Sequence, residues 1–225
     1  MQIYEALANA PLRVFNLDPE IEQLRTSQPG QTHLAPQAAE FARQIVDEAE
    51  QRGEDWQKYE VGVALQRIDS IMRLVDFKVG NYQSVGLAMS GPDYPIDGHT
   101  HPLPLPPSAS DLAIFREDSH RLVSVVVDRA FHTYFLVKPL QYGDNDDHTL
   151  SSGRRDIKAA VRDLPWYMGD WIKSAIWNIY PFAGIRFDRD RSLDHLVRVA
   201  ERAGTYLFTG HYSLDTLTHY VPRRK

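Results

Sequence analysis

Between Gln51 and Tyr59 the apolar periodicity of this chain changes from that of a helix to that of a strand. Over Pro36 to Gln51, Ala38, Phe41, Ala42, Ile45, Val46 and Ala49 recur at spacings of three and four, with Glu40, Arg43, Asp47 and Glu48 between them. This is the pattern of an amphipathic helix, ending before Gly53. From Tyr59 onward, Tyr59, Val61, Val63 and Leu65 alternate with Glu60, Gly62 and Ala64, which predicts a strand with one large apolar face. A chain carrying both patterns must pack helix against sheet.

The remaining punctuation extends that picture. Residues 1–35 contain Pro11, Pro19, Pro29 and Gly30 without sustained periodicity, so an irregular extension with one short helix is expected there. Ile68 to Lys78 and Ser84 to Ser90 read as further strands separated by Gly80 and Asn81, before Gly91, Pro92, Asp93 and Pro95 break the pattern. Leu103 to Pro107 is a Pro-rich loop, and Ser108-Ala-Ser-Asp111 before Leu112, Ala113, Ile114 and Phe115 reads as a helix start. Leu122 to Asp128 and His132 to Lys138 predict a β-hairpin. Beyond Pro139, Gln141-Tyr-Gly-Asp-Asn-Asp-Asp147 marks a boundary loop, followed by a region containing Trp166, Trp171 and Trp177. Ser192 to Ala203 reads as a helix capped by Ser192 and closed by Gly204.

The chain has 225 residues, of which 43% are hydrophobic, enough to bury a core. Its 25 Lys and Arg against 30 Asp and Glu give a net charge of −5. That balance argues against nonspecific binding of nucleic acid, although Arg154, Arg155, Lys158 and Arg162 form a local basic cluster. No apolar run reaches the roughly 20 residues of a membrane helix, and MQIYEALANAPLRVF lacks the layout of a signal peptide. The expected location is therefore the cytoplasm, or export by a system that uses no cleavable signal. There is no cysteine. Thiol catalysis, disulfides and every Cys-containing zinc site are excluded, so a metal must be held by His, Asp or Glu.

Asp97-Gly-His-Thr-His-Pro-Leu-Pro-Leu-Pro-Pro-Ser-Ala-Ser-Asp111 is the segment with chemistry in it. In an extended strand His99 and His101, two apart, project to the same side. The loop can fold back to bring Asp111, in the first turn of the next helix, to the same place. The result is a His₂Asp set with room for a fourth ligand, the arrangement of catalytic zinc. An isolated His-x-His is commonly a pair of packing histidines; the positioned Ser and Asp distinguish this one.

These residues resemble the JAMM (MPN+) zinc metallopeptidases, whose signature is an upstream Glu, His-Ser/Thr-His-Pro, a short loop and Ser-x-x-Asp. His99-Thr-His-Pro102 and Ser108-Ala-Ser-Asp111 match it as written. The six residues Pro102 to Pro107 are one fewer than the family's usual spacing, leaving both Ser108 and Ser110 as the functional serine, with Ser108 preferred. Glu60-Val-Gly-Val-Ala-Leu65 resembles the strand carrying the family's Glu. Glu60 shares its face with the small Gly62 and Ala64, whereas Glu48 and Glu50 lie on the predicted helix and Glu54 in a linker. The resemblance spans about residues 55–140.

What the resemblance implies is an α/β (α+β) fold, a mixed sheet flanked by helices in a layered, cytidine-deaminase-like core. It implies Zn2+ held by His99, His101 and Asp111, with Glu60 as general base and Ser108 stabilising an oxyanion. The reaction would be hydrolysis of a peptide or isopeptide bond, often at the C-terminus of a ubiquitin-like protein. Residues 1–54 would then be an N-terminal extension, 55–140 the metallopeptidase core and 141–225 a mostly helical extension.

Three alternatives differ in class: a toxin or effector domain with a cognate immunity protein, a non-catalytic MPN-type scaffold, and a metal hydrolase with another substrate. His120 and His132 are of the usual structural or exposed kind. His195, His211 and His219, with Asp190, Asp194 and Asp215, show no compelling ligand spacing. Trp166, Tyr167, Trp171, Trp177, Tyr180 and Phe182 read as packing aromatics, and Asp144-Asn-Asp-Asp147 as a solvated turn without the spacing of a calcium loop.

Overall fold

A computed structural model describes residues 14–81, 84–86, 89–140 and 189–222. The strands are β1 (Val14–Phe15), β2 (Thr32–Leu34), β3 (Val61–Ile68), β4 (Ile71–Val79), β5 (Ile96–His101), β6 (Val123–Asp128), β7 (His132–Val137), β8 (Tyr206–His211) and β9 (Thr216–His219). The helices are α1 (Asp18–Arg25), α2 (Pro36–Gln51), α3 (Ala109–Glu117) and α4 (Arg189–Arg202). All nine strands form one open mixed sheet in the order β1-β4-β3-β5-β6-β7-β8-β9-β2. Only β5 and β6 pair in parallel. A parallel pair needs a crossover, and here the loop after β5 and helix α3 provide it.

The sheet is covered on both faces. On one, α1 and α2 pack Ile21, Leu24, Phe41, Ala42, Ile45 and Val46 against Val61, Val63, Leu65, Val125 and Phe135. Pro36 starts α2 as expected, with the missing N–H of a first-turn proline costing nothing. Gly98 allows the closest approach of helix to sheet: a Cβ there would lie 2.4 Å from Ile45 Cδ1. On the other face, Leu112 and Phe115 of α3 and Leu193, Leu196, Val197 and Ala200 of α4 pack on Val126, Tyr134, Leu136 and Leu207.

The helix Pro36–Gln51, the loop 103–107, the helix after Ser108 and the hairpin β6–β7 form as the sequence predicts, and the strand expected from Tyr59 forms from Val61. The expected strand Ile68–Lys78 begins at Ile71, because Asp69 takes a left-handed φ of 56° and turns the chain between β3 and β4. Ser84–Ser90 is not a strand at its described residues. The chain instead turns at Asn81, whose N–H donates to Ser84 O and whose Oδ1 accepts from Ser84 N–H, both at 3.0 Å. The free edge of β3 goes to β5, with Gly62 opposite His99.

The N-terminal stretch is more regular than expected: β1 pairs with β4 and β2 with β9. Strands of two and three residues are too short to show alternation. Helix α4 starts at Arg189, which places Ser192 inside it instead of at its cap. Gly204, with φ of 61°, closes it through Gly204 N–H to Glu201 O (2.9 Å) and Thr205 N–H to Ala200 O (2.8 Å). Residues 189–222 carry two strands besides this helix, so both expected extensions feed strands into the sheet that holds residues 55–140. The basic cluster, the acidic loop and the Trp-rich region lie outside the described residues. No helix among the described residues is long and apolar enough to cross a membrane.

Candidate metal centre

Strand β5 alternates between the two faces of the sheet. Ile96, Gly98 and Thr100 meet α2 and its core, so Asp97, His99 and His101 point toward the α3 side. Opposite His99 on β3 stands Gly62, which has no side chain to crowd the imidazole. The loop after Pro102 then returns the chain so that α3 begins over this end of β5.

His99, His101 and Asp111 converge. His99 Nε2 and His101 Nε2 are 3.2 Å apart, Asp111 Oδ1 is 3.5 Å from His99 Nε2, and Asp111 Oδ2 is 3.4 Å from His101 Nε2. Among the described residues this is the one group of three or more His, Asp or Glu side chains whose ligand atoms lie close enough to share an ion. The imidazole of His101 is steered from behind, its Nδ1 lying 3.1 Å from Leu105 O; a donated Nδ1–H leaves Nε2 facing the group.

Asp111 is positioned by the helix start it belongs to. Ser108 is the N-cap of α3: its Oγ accepts from Asp111 N–H at 3.1 Å, and Ser108 N–H donates to Asp111 Oδ2 at 2.5 Å. This capping box satisfies two N-terminal donors and aims the carboxylate at the histidines. Ser110 is exposed on the same turn. Ser108→Ala is expected to cost about 1 kcal/mol of stability and to weaken metal affinity about 10-fold or more by loosening Asp111. Urea unfolding and a zinc competition titration read the two effects separately; unchanged affinity would remove Ser108 from the support of the site.

Burial opposes charge on both partners, yet their mutual attraction wins. Burial alone would push His101 down, but the Asp111 hydrogen bond and the charges of Asp111 and Glu60 carry it up to about 9. Burial likewise favours the neutral carboxyl of Asp111, and the two histidines hold it well below the ordinary carboxylate range. Metal binding at this group must therefore release a proton, and its affinity falls as pH is lowered.

Glu60 precedes β3 and is buried. Its N–H donates to Asn81 O and its carbonyl accepts from Gly80 N–H, both at 2.8 Å, while the next residue, Val61, donates its N–H to Thr100 Oγ1 at 2.9 Å. Continuing the β3–β5 register brings Glu60 opposite His101, where its charge is felt. The rival acids Glu48 and Glu50 belong to α2, on the opposite face of the sheet.

Three supporting residues escaped the sequence reading. Thr100 anchors the backbone beside Glu60, and Asp97, two residues before His99 and on the same face, forms a buried ion pair with Arg121 at 2.6 Å. The spacing of Asp97 from His99 was the available signal; that of Arg121 was not. Among the C-terminal histidines and acids, His219 is buried against Ser27 Oγ (3.3 Å), Asp215 pairs with Arg43 (3.0 Å) and Asp194 accepts from Tyr220 (2.9 Å), so these three do not share one site. His120 is exposed.

Comparison with family models, with curated proteins and with solved structures finds no match to this chain.

Proposed function

We propose that the chain is a zinc-dependent hydrolase of JAMM (MPN+) type, cleaving a peptide or isopeptide bond. The observation that carries this reading is the convergence of three side chains: the two Nε2 atoms lie 3.2 Å apart, Asp111 Oδ1 lies 3.5 Å from His99 Nε2, and Asp111 Oδ2 lies 3.4 Å from His101 Nε2. Bonds of about 2.0–2.1 Å from a tetrahedral zinc require ligand atoms about 3.3–3.4 Å apart, close to the 3.2 Å between the two Nε2 atoms, and one Asp111 oxygen lies within 4.8 Å of both. The donor set suits zinc: two imidazoles, one carboxylate, and hydrogen bonds that hold them in place, from His101 Nδ1–H to Leu105 O and from Ser108 N–H to Asp111 Oδ2. A mixed sheet covered on both faces, with the site at the end of a parallel strand and the start of its crossover helix, supports the layered JAMM-like core.

When bound, zinc supplies Lewis acidity that polarises a carbonyl and acidifies water. Glu60 accepts the proton of the attacking water as the oxygen adds to the carbonyl carbon, and returns it to the nitrogen as the C–N bond breaks. The Ser108 hydroxyl oxygen already accepts the Asp111 N–H, so its own proton is left to donate to the developing oxyanion. The substrate class is a protein or peptide, with the C-terminus of a ubiquitin-like protein as the form the resemblance implies.

The test is elemental mass spectrometry of tag-free protein after gel filtration, together with a panel of peptide, isopeptide and nonpeptide substrates. About one tightly held zinc per chain is expected, lost in His99→Ala/His101→Ala along with hydrolysis. A wild type that holds no zinc after reconstitution would overturn the reading in favour of a scaffold. Retention of zinc by the double variant would move the site elsewhere.

A further inference from the structure

The face that carries His101 continues across the sheet into a second set of metal-ligating side chains. Asp128 stands beside His101 on β6, and His132 on β7 stands directly opposite His211 on β8. Phe131 O accepts from Tyr212 N–H, while the His132 N–H turns away to Asp128 Oδ1. His132 and His211 are therefore a non-hydrogen-bonded pair, the kind whose side chains approach most closely.

Both rings are held through Nδ1. Asp128 is fully buried, and its carboxylate accepts from the N–H groups of Ala130 (2.8 Å) and His132 (3.0 Å) and from Tyr134 Oη (3.0 Å). Its Oδ2 also meets His132 Nδ1 at 3.0 Å. A carboxylate so placed fixes the Nδ1–H tautomer of His132 and turns the Nε2 lone pair outward, as carboxylates behind metal-bound histidines do. His211 Nδ1 lies 2.9 Å from Ser213 Oγ and 3.3 Å from the Ser213 N–H that donates to it; donation of an Nδ1–H to Oγ in place of that weaker bond frees the Nε2 lone pair. No hydrogen-bond partner of either Nε2 is found among the described residues, and both rings reach solvent, the His132 side chain at 26% and His211 more fully.

From this geometry we infer that His132 and His211 form a second, exposed binding site for a divalent transition-metal ion of imidazole preference, Ni2+, Cu2+ or Zn2+. The ring centroids are 6.0 Å apart, against 5.0 Å for His99 and His101, so sharing one ion requires the exposed His211 ring to move toward His132. Strand spacing of about 4.8 Å puts the pair about 12 Å from His101, too far to share its ion. Two protein ligands leave the remaining positions open to water or to a donor from a bound partner.

The probe is Ni2+ added to full-length protein already loaded with zinc, followed by calorimetry and by broadening of histidine ring signals in NMR. One further Ni2+ per chain is expected, with the His132 and His211 signals broadening first. His211→Ala, an exposed position that leaves the fold intact, should weaken this binding about 10-fold or more, and Asp128→Asn should weaken it while leaving both rings present. Absence of a further Ni2+ in the wild type, or equal binding by His211→Ala, overturns the site. The zinc content of the His99–His101–Asp111 group is read separately and decides neither outcome.

Discussion

Glu60→Gln is expected to keep its zinc and to lose hydrolysis by about 10²- to 10⁴-fold, the usual contribution of a positioned general base. Gln preserves the size and polarity of the side chain at a buried position, but it cannot take a proton from water. None of the three ligand atoms belongs to residue 60, and the backbone here is held by Glu60 N–H to Asn81 O, Gly80 N–H to Glu60 O and Val61 N–H to Thr100 Oγ1, which the substitution leaves in place. Metal content and the melting profile should therefore stay close to wild type while kcat falls. The measurement is zinc by mass spectrometry beside kcat on the best substrate of the panel. Wild-type turnover in Glu60→Gln would assign the base elsewhere, and loss of zinc would recast Glu60 as part of the metal's support.

Arg121→Ala carries the largest expected loss of stability, about 3–5 kcal/mol, because it leaves the Asp97 carboxylate without its buried counter-charge. Arg121 also reaches Asp118 at 3.2 Å, so one substitution disturbs two acids. Both members of the 2.6 Å pair have side chains only 8% exposed, which removes the screening that makes surface ion pairs weak. Urea denaturation gives the loss directly. Adding Asp97→Asn to Arg121→Ala should recover a measurable part of it, since the stranded charge is then gone. A loss below about 1 kcal/mol would mean that water or a neighbouring group meets Asp97. Because Asp97 shares the strand face of His99, the single variant should also hold zinc less tightly, which separates this pair from a merely distant structural one.

Much of the candidate site was legible because its parts are close in sequence. Within fifteen residues the segment 97–111 contains both imidazoles, the carboxylate and the serine that caps the helix carrying it. The period of two in a strand decided that His99 and His101 share a side, and the Ser-x-x-Asp capping pattern decided where α3 starts. The helix Pro36–Gln51 and the hairpin after α3 were legible for the same reason, since each shows its period over several turns or alternations. Ser84–Ser90 misled because apolar alternation alone does not say which edge is free, and β5 takes that edge.

What the sequence by itself determined is therefore local: which residues repeat at helical or strand spacing, which side chains of β5 face the same way, and that without cysteine any metal must rest on nitrogen and oxygen. Tertiary structure alone decided what depends on strands far apart in the chain. The register opposite Gly62 opened the space beside His99, the order of the sheet brought β1, β2, β8 and β9 into one layer, and pairing of β7 with β8 set His132 against His211 across 79 positions of sequence, 211 − 132. The physical reason is that hydrogen-bonded pairing between strands is set by the competition of all edges for partners, a quantity no short window of sequence contains.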